Sequence, residues 1–175
     1  MWHFTETSKL LRYGDGREVV AGKTLKVKSP VVLCNKGLHA CEKILDAANY
    51  APGPYVWFVE LGKDAIHDKD KSVSTSRKAV WGYDATEVLR EFSRRVALDS
   101  VRKYWNSKKF GEFPEVTMKY LQTGEESLRS AARSAARSAA RSAAWSAAES
   151  AARSEYNTWL EEMILAGRPK KTRKK

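Results

Sequence analysis

The sequence predicts an α+β protein: a small strand-rich body with two or three helices, followed by a long Ala-rich C-terminal helix. Three observations carry this. Residues 1–82 hold short β-branched and aromatic runs separated by turn residues. From Asp84 the apolar period lengthens to that of a helix. From Ser130 a four-residue repeat dominated by Ala, the strongest helix former, runs on without Gly or Pro. The boundaries that follow are an α+β body over 1–122, a Ser-Ala-Ala-repeat helix over 123–167 and a disordered basic tail over 168–175. A length of 175 residues fits one domain of about 100–150 residues plus an appendage.

LLRYGDGREVV reads as a hairpin, because Gly14 and Gly16 accept the positive φ of a tight turn between two apolar runs. Thr24 to Lys28 alternates with period two, as a half-buried strand does. Val31 to Cys34 and Tyr55 to Leu61 are β-branched and aromatic, the pattern of interior strands. Between them, Cys41 to Tyr50 carries Ile44, Leu45 and Ala48 at helical spacing and stops at Ala51-Pro52-Gly53-Pro54. A further strand fits 72–81. Asp84 to Glu87 has the capping-box form, and Val88, Leu89, Phe92, Val96 and Trp105 then line one helical face. Gly111 and Pro114 end that segment.

Ser recurs at 130, 134, 138, 142, 146, 150 and 154. The variable slots between are Arg133, Arg137, Arg141, Trp145, Glu149 and Arg153. Thr123 to Glu126 supplies a second capping-box start, and Gly167 with Pro169 a stop. A helix of that length spans roughly 63 Å. Because four residues overshoot a 3.6-residue turn, the Ser and Arg stripes rotate about 40° per repeat and spiral around the axis. The Ala-rich middle has little to bury, so a solvated rod is the first expectation and a close-packed coil the second. Tyr156, Trp159, Leu160, Met163 and Ile164 do form a straight apolar face. That face is expected to dock, on the body or on a second copy as a self-association surface.

The formal charge is +11, and the last eight residues, RPKKTRKK, hold six cations and no acid, leaving +5 for the rest. A basic tail on a mildly basic body suits a polyanion, whose released counterions supply affinity without reading sequence. The expected polyanion contacts are Arg133, Arg137, Arg141, Arg153, Arg168, Lys170, Lys171, Arg173, Lys174 and Lys175. No run approaches the ~18 apolar residues that cross a bilayer, and the first residues lack the form of a secretory signal. Two cysteines exclude a disulfide scaffold and point to a reducing, cytoplasmic compartment.

The densest chemical cluster is Cys34-Asn35-Lys36-Gly37-Leu38-His39-Ala40-Cys41. Three residues that could ligate zinc, Cys34, His39 and Cys41, fall within eight positions, but their spacing matches no common finger or ribbon, so no metal site is assigned. Buried structural thiols fit better. A reactive thiol is the other option: Cys41 at a helix start would feel a dipole that lowers its pKa, with His39 two residues away as base. Gly14 and Gly16 form no phosphate loop, since no helix follows them. Asp64, Asp68 and Asp70 read as a solvated turn, and Trp2, Trp57 and Trp81 as core or sheet-face residues.

Leu33, Cys34, Gly37, Leu38, His39, Ala40 and Cys41, followed by Leu45, Asp46 and Tyr50, resemble a domain of unknown function found mainly in bacteriophages and prophages. Its pattern is L-C-x-x-G-[FL]-H-A-[CS] and then a Leu-Asp-x-x-x-Tyr helix. Tyr13 to Gly16, Val59 to Leu61 and Asp70-Lys71 also fit, so the resemblance covers roughly residues 8–98. It implies a phage-related source, hence the cytoplasm of an infected or lysogenic bacterium or the virion. Some relatives carry Ser-Ala-Ala repeats, but theirs are spaced by Gly, Asn and Thr, so a β-solenoid does not transfer.

A fainter similarity is to ADP-ribosyltransferases. Gly37-Leu38-His39-Ala40, then Ala47 to Tyr50, then Val59 to Gly62 follow the order of a strand, helix and strand in that fold. The similarity places His3 where a first-strand histidine holds the nicotinamide ribose, and Ser74-Thr75-Ser76 where other branches carry Ser-Thr-Ser. His39 stands in the stacking tyrosine's place, and no glutamate matches the one that orients the ribose hydroxyl. The candidate catalytic set that this implies is His3, His39, Tyr50, Ser74 and Ser76, with NAD as ligand.

Three functions follow. The first is a non-catalytic phage-type accessory protein that binds nucleic acid or another polyanion without a cofactor, its body meeting a host or phage protein. The second is an NAD- or nucleotide-binding protein of the transferase type. The third is a structural phage protein that self-associates through its terminal helix. A shared concavity for His3, His39, Tyr50 and 74–76 would discriminate the second.

Overall fold

A computed structural model describes residues 1–140 and 146–169. In chain order the first elements are β1 (Trp2–Thr5), β2 (Thr24–Lys26), β3 (Leu38–Ala40), α1 (Ile44–Asn49), β4 (Tyr55–Leu61), β5 (Ile66–His67), β6 (Ser72–Ser74) and β7 (Ser76–Asp84). The helices α2 (Thr86–Tyr104), α3 (Ser107–Phe110), α4 (Glu115–Thr123), α5 (Arg129–Ala140) and α6 (Ser146–Gly167) follow, with a 3₁₀ turn at Glu126–Leu128. The protein is therefore mixed α and β. One compact unit comprises Met1–Thr86 and the segment from Leu160; the other comprises Glu87–Trp159. Among the described residues no helix is long and apolar enough to cross a membrane.

In the first unit the strands form two antiparallel sheets, ordered β1-β4-β7-β2 and β3-β6-β5. β4 lies between two partners, which explains why Val56, Trp57 and Val59 are all buried. Trp2, Phe58 and Trp81 oppose one another across β1, β4 and β7 and so share a face. Trp2 meets Phe58 edge-on at 5.2 Å, and Phe58 stacks on Trp81 at 5.7 Å, the cross-strand packing that stabilises sheets. Against the other face Val19 and Ala40 pack with Trp57, Val59 and Ala79 in one buried cluster. Gly82 opposes Trp57, and a Cβ there would overlap the indole, so this strand position excludes a side chain.

The expected strand at Val31 to Cys34 is instead a tight turn. Val32 bridges Lys36, and Cys34 adopts φ 63°, a left-handed conformation that cannot continue a strand. The hairpin at Gly14 and Gly16 is present as a turn with a single Leu10–Glu18 bridge, both glycines having positive φ. α1 begins at Ile44 rather than Cys41. Cys41 instead pairs with Trp2, exchanging backbone hydrogen bonds of 2.7 and 2.9 Å. The 72–81 strand is broken at Thr75 into β6 and β7, which belong to different sheets.

Asp84 caps α2 as expected, its Oδ1 accepting from the Thr86 amide at 2.9 Å. Trp105 lies beyond the helix, where its indole donates to the Gly111 carbonyl at 2.9 Å. The repeat helix does not start at Thr123. That residue ends α4, and Gly124, with φ 69°, closes it by donating to the Tyr120 carbonyl at 2.8 Å. The described parts of the repeat are α5 and α6, and neither behaves as a bare solvated rod. Ala132 is buried, and its carbonyl accepts from the buried Thr117 hydroxyl of α4 at 3.1 Å. Tyr156 is buried too, its hydroxyl lying 3.0 Å from Asp99 and 3.2 Å from Ser100 of α2. Arg95 stacks over Trp159 at 4.1 Å.

Candidate ligand-binding cleft

A cavity of about 870 Å³ opens in the first unit. β1 carries His3 into its wall, β3 carries His39, and Tyr50 stands at its edge as the residue that closes α1. Three candidates from separate elements thus meet in one concavity. Ser74 and Ser76 do not line it. Ser74 is buried, donating to Asp64 at 2.6 Å and accepting from the amides of Gly62 and Ser76. The Thr75 amide also donates to Asp64, and these bonds hold that carboxyl down to about 2. The Ser-Thr-Ser segment is therefore a structural clamp on a loop.

Burial holds the pKa of His3 well below its ordinary value, with the Arg77 and His39 charges acting the same way. Burial lowers His39 as well, aided by Arg77 and Lys71 against a hydrogen bond with the Gly37 backbone. Both imidazoles are neutral near pH 7, and the Nε2 atom of each is enclosed without a partner.

Arg77 and Lys71 complete the site, and sequence reasoning missed both as site residues. Arg77 is 2% exposed, on β7, and its Nη1 donates to the His39 carbonyl at 2.5 Å while Nη2 has no partner. Burial lowers its pKa to about 10, so the guanidinium stays charged at neutral pH. The available signal was register: Arg77 shares the inward face of its strand with Ala79, where a cation has no structural reason to be. Lys71 donates to the Tyr50 hydroxyl at 3.2 Å and bonds the Cys34 side chain, which together raise its pKa. Tyr50 in turn donates to Asp70, a contact that raises the phenol's pKa.

The two thiols differ. Cys34 is exposed at the cleft, whereas Cys41 is buried in its β-bridge and burial pushes its thiol up to about 12. The lowered pKa expected from a helix start is thus reversed, because Cys41 does not start the helix. Asp64, Asp68 and Asp70 turn to different partners, and no group of three metal-ligand residues gathers among the described residues.

Of the expected polyanion contacts, Arg133 is exposed on α5. Arg153 is exposed on α6 and holds an interaction of its own. Arg168 stacks over Trp81 at 4.7 Å. The Arg137 side chain, Arg141, Lys170, Lys171, Arg173, Lys174 and Lys175 lie outside the described residues. In the terminal face, Tyr156, Leu160 and Ile164 are buried within the single chain, and Trp159 and Met163 are half-buried. The surface expected to self-associate is thus occupied by the chain itself.

Fold and site together define an antiparallel α+β domain with a histidine-lined, basic cleft. Residues 14–91 match the family model of a domain of unknown function, DUF7666. His39, Tyr50, Lys71 and Arg77 fall within that match, and His3 precedes it. Neither a curated protein nor a solved structure matches the chain.

Proposed function

We propose that the first unit is a nucleotide-binding domain whose ligand occupies the cleft between His3, His39 and Tyr50. The supporting observation is the meeting of these three residues, from β1, β3 and the end of α1, around one cavity of about 870 Å³. That volume lies within the range of about 300–1,000 Å³ that houses small-molecule ligands. Neutral imidazoles can donate or accept toward ribose hydroxyls, and half-exposed Tyr50 offers an aromatic edge to a base. Among cleft-lining residues the carboxylate present is Asp15, and Arg17 already holds both its oxygens, at 2.6 and 2.7 Å. Titration calorimetry with NAD, ATP and adenosine tests the nucleotide proposal. Binding that His39→Ala weakens supports it; absence of heat at millimolar ligand rejects it.

A second reading keeps the polyanion function, supported by exposed Arg133 and by six cations in the last eight residues. Its affinity for DNA or RNA would fall steeply as log salt rises. Deleting 168–175 would weaken binding to all sequences alike, and a flat salt dependence would reject it.

A further inference from the structure

We infer that Arg77 is the anchor for an oxyanion, phosphate or carboxylate, borne by the ligand of this cleft, with His3 as a flanking donor and His39 as a flanking acceptor. The inference deepens the nucleotide reading and names the group that holds the ligand. A guanidinium has five donors, and burying it is strongly unfavourable unless a counter-charge and acceptors replace water. Arg77 is 2% exposed and has one acceptor, the neutral carbonyl of His39. Asp15 attracts it from a distance, but Arg17 repels it and bonds both Asp15 oxygens. The buried cation therefore has no carboxylate of its own.

The rest of the cleft repeats that imbalance. Its lining carries the cations Arg12, Lys36, Lys71 and Arg77 against the single carboxylate of Asp15, so its field favours an anion. The unpartnered buried side-chain nitrogens found among the described residues are His3 Nε2, His39 Nε2 and Arg77 Nη2, and all three residues line this wall. An oxyanion offers acceptors to Arg77 Nη2 and to His3 Nε2 in its Nε2–H tautomer, while neutral His39, whose ring N–H is engaged with the Gly37 backbone, presents Nε2 as an acceptor to a ligand hydroxyl. A modest rotation of the guanidinium brings Nη2 to the ligand while Nη1 keeps its hold on β3. Lys71 closes the outer side.

The experiment uses the full chain and follows thermal shift and calorimetry with pyrophosphate, orthophosphate, citrate and uncharged adenosine. Pyrophosphate is expected to bind and stabilise, and Arg77→Met, which keeps length and removes charge, to weaken it about tenfold or more. Tighter binding of citrate than of either phosphate would assign the carboxylate source, and the reverse the phosphate. Equal pyrophosphate affinity in the wild type and Arg77→Met would overturn the anchor. A nucleotide that binds both proteins equally would overturn it while sparing the nucleotide reading. Pyrophosphate binding that depends on Arg77, with no gain from an attached adenosine, would spare the anchor and reject that reading. Should Arg77→Met not fold, histidine NMR of the wild type decides. Pyrophosphate must move the His3 and His39 resonances and leave His67, which lies outside the cleft on β5, in place; no movement refutes the anchor.

Discussion

The Tyr83 hydroxyl donates to the backbone carbonyl of Ile164 at 2.8 Å, joining β7 to the last turn of α6 across 81 residues of sequence. The last four carbonyls of any helix lack an intrahelical donor, and Tyr83 satisfies one of them. Burial raises the phenol to about 12, so the bond keeps its proton at any physiological pH. Tyr83→Phe leaves that carbonyl unpaired and should cost about 1–3 kcal/mol in urea unfolding. Ile164→Ala, at a site 0% exposed, should cost about 2–5 kcal/mol. Neutral outcomes for both would mean that the 160–169 segment contributes nothing to the first unit.

The Ala repeat offers a matched pair of substitutions. Ala132 is buried beside Thr117, while neighbouring Ala131 is exposed. Ala132→Leu forces three extra carbons into a close helix contact and should destabilise by about 1–3 kcal/mol. Ala131→Leu should stay within about 0.5 kcal/mol. Equal effects would restore the solvated rod.

These contrasts show what local pattern can and cannot encode. β4, α1 and the Asp84 cap were readable because a few neighbouring residues determine them. The 31–34 run was not: Val31, Val32 and Leu33 favour a strand, but nothing local announces that Cys34 takes φ 63°. At Thr123 two local signals competed, and the left-handed Gly124 stop prevailed over the capping box. His3, His39 and Tyr50 were legible as residue types, while their convergence depends on pairings such as Trp2 with Cys41, across 39 positions. Arg77 was the least legible, since its burial follows from sheet register and long-range packing.

Thiol chemistry should separate the two cysteines. Cys34 is exposed beside Lys71, so iodoacetamide at pH 8 should alkylate it in the native protein. Cys41, with a thiol near 12, is both covered and ionised in roughly one molecule in 10⁴ at that pH. Peptide mass spectrometry should find one modified site before denaturation and two after. Native modification of Cys41 would mean that its bridge to Trp2 opens readily.

The buried histidines make stability depend on pH, and the sign follows from proton counting. Unfolded His3 titrates at its ordinary 6.5, whereas the folded side chain binds its proton only at much lower pH. Between those values the unfolded chain takes up more protons than the folded one, so unfolding becomes easier as pH falls. Well above 6.5 neither state is protonated and this contribution to the slope fades. His39 acts in the same direction, and both face the charge of Arg77, which sharpens the penalty for protonation. The wild type should lose stability from pH 6.5 toward 5, and His3→Gln should lose less, because a neutral amide takes up no proton in either state. Urea midpoints at pH 7.5, 6.5 and 5.5 measure the difference directly. Parallel curves for the two proteins would place His3 in contact with water, and the cleft wall would then have a different composition from the one drawn by Arg77, His39 and β1.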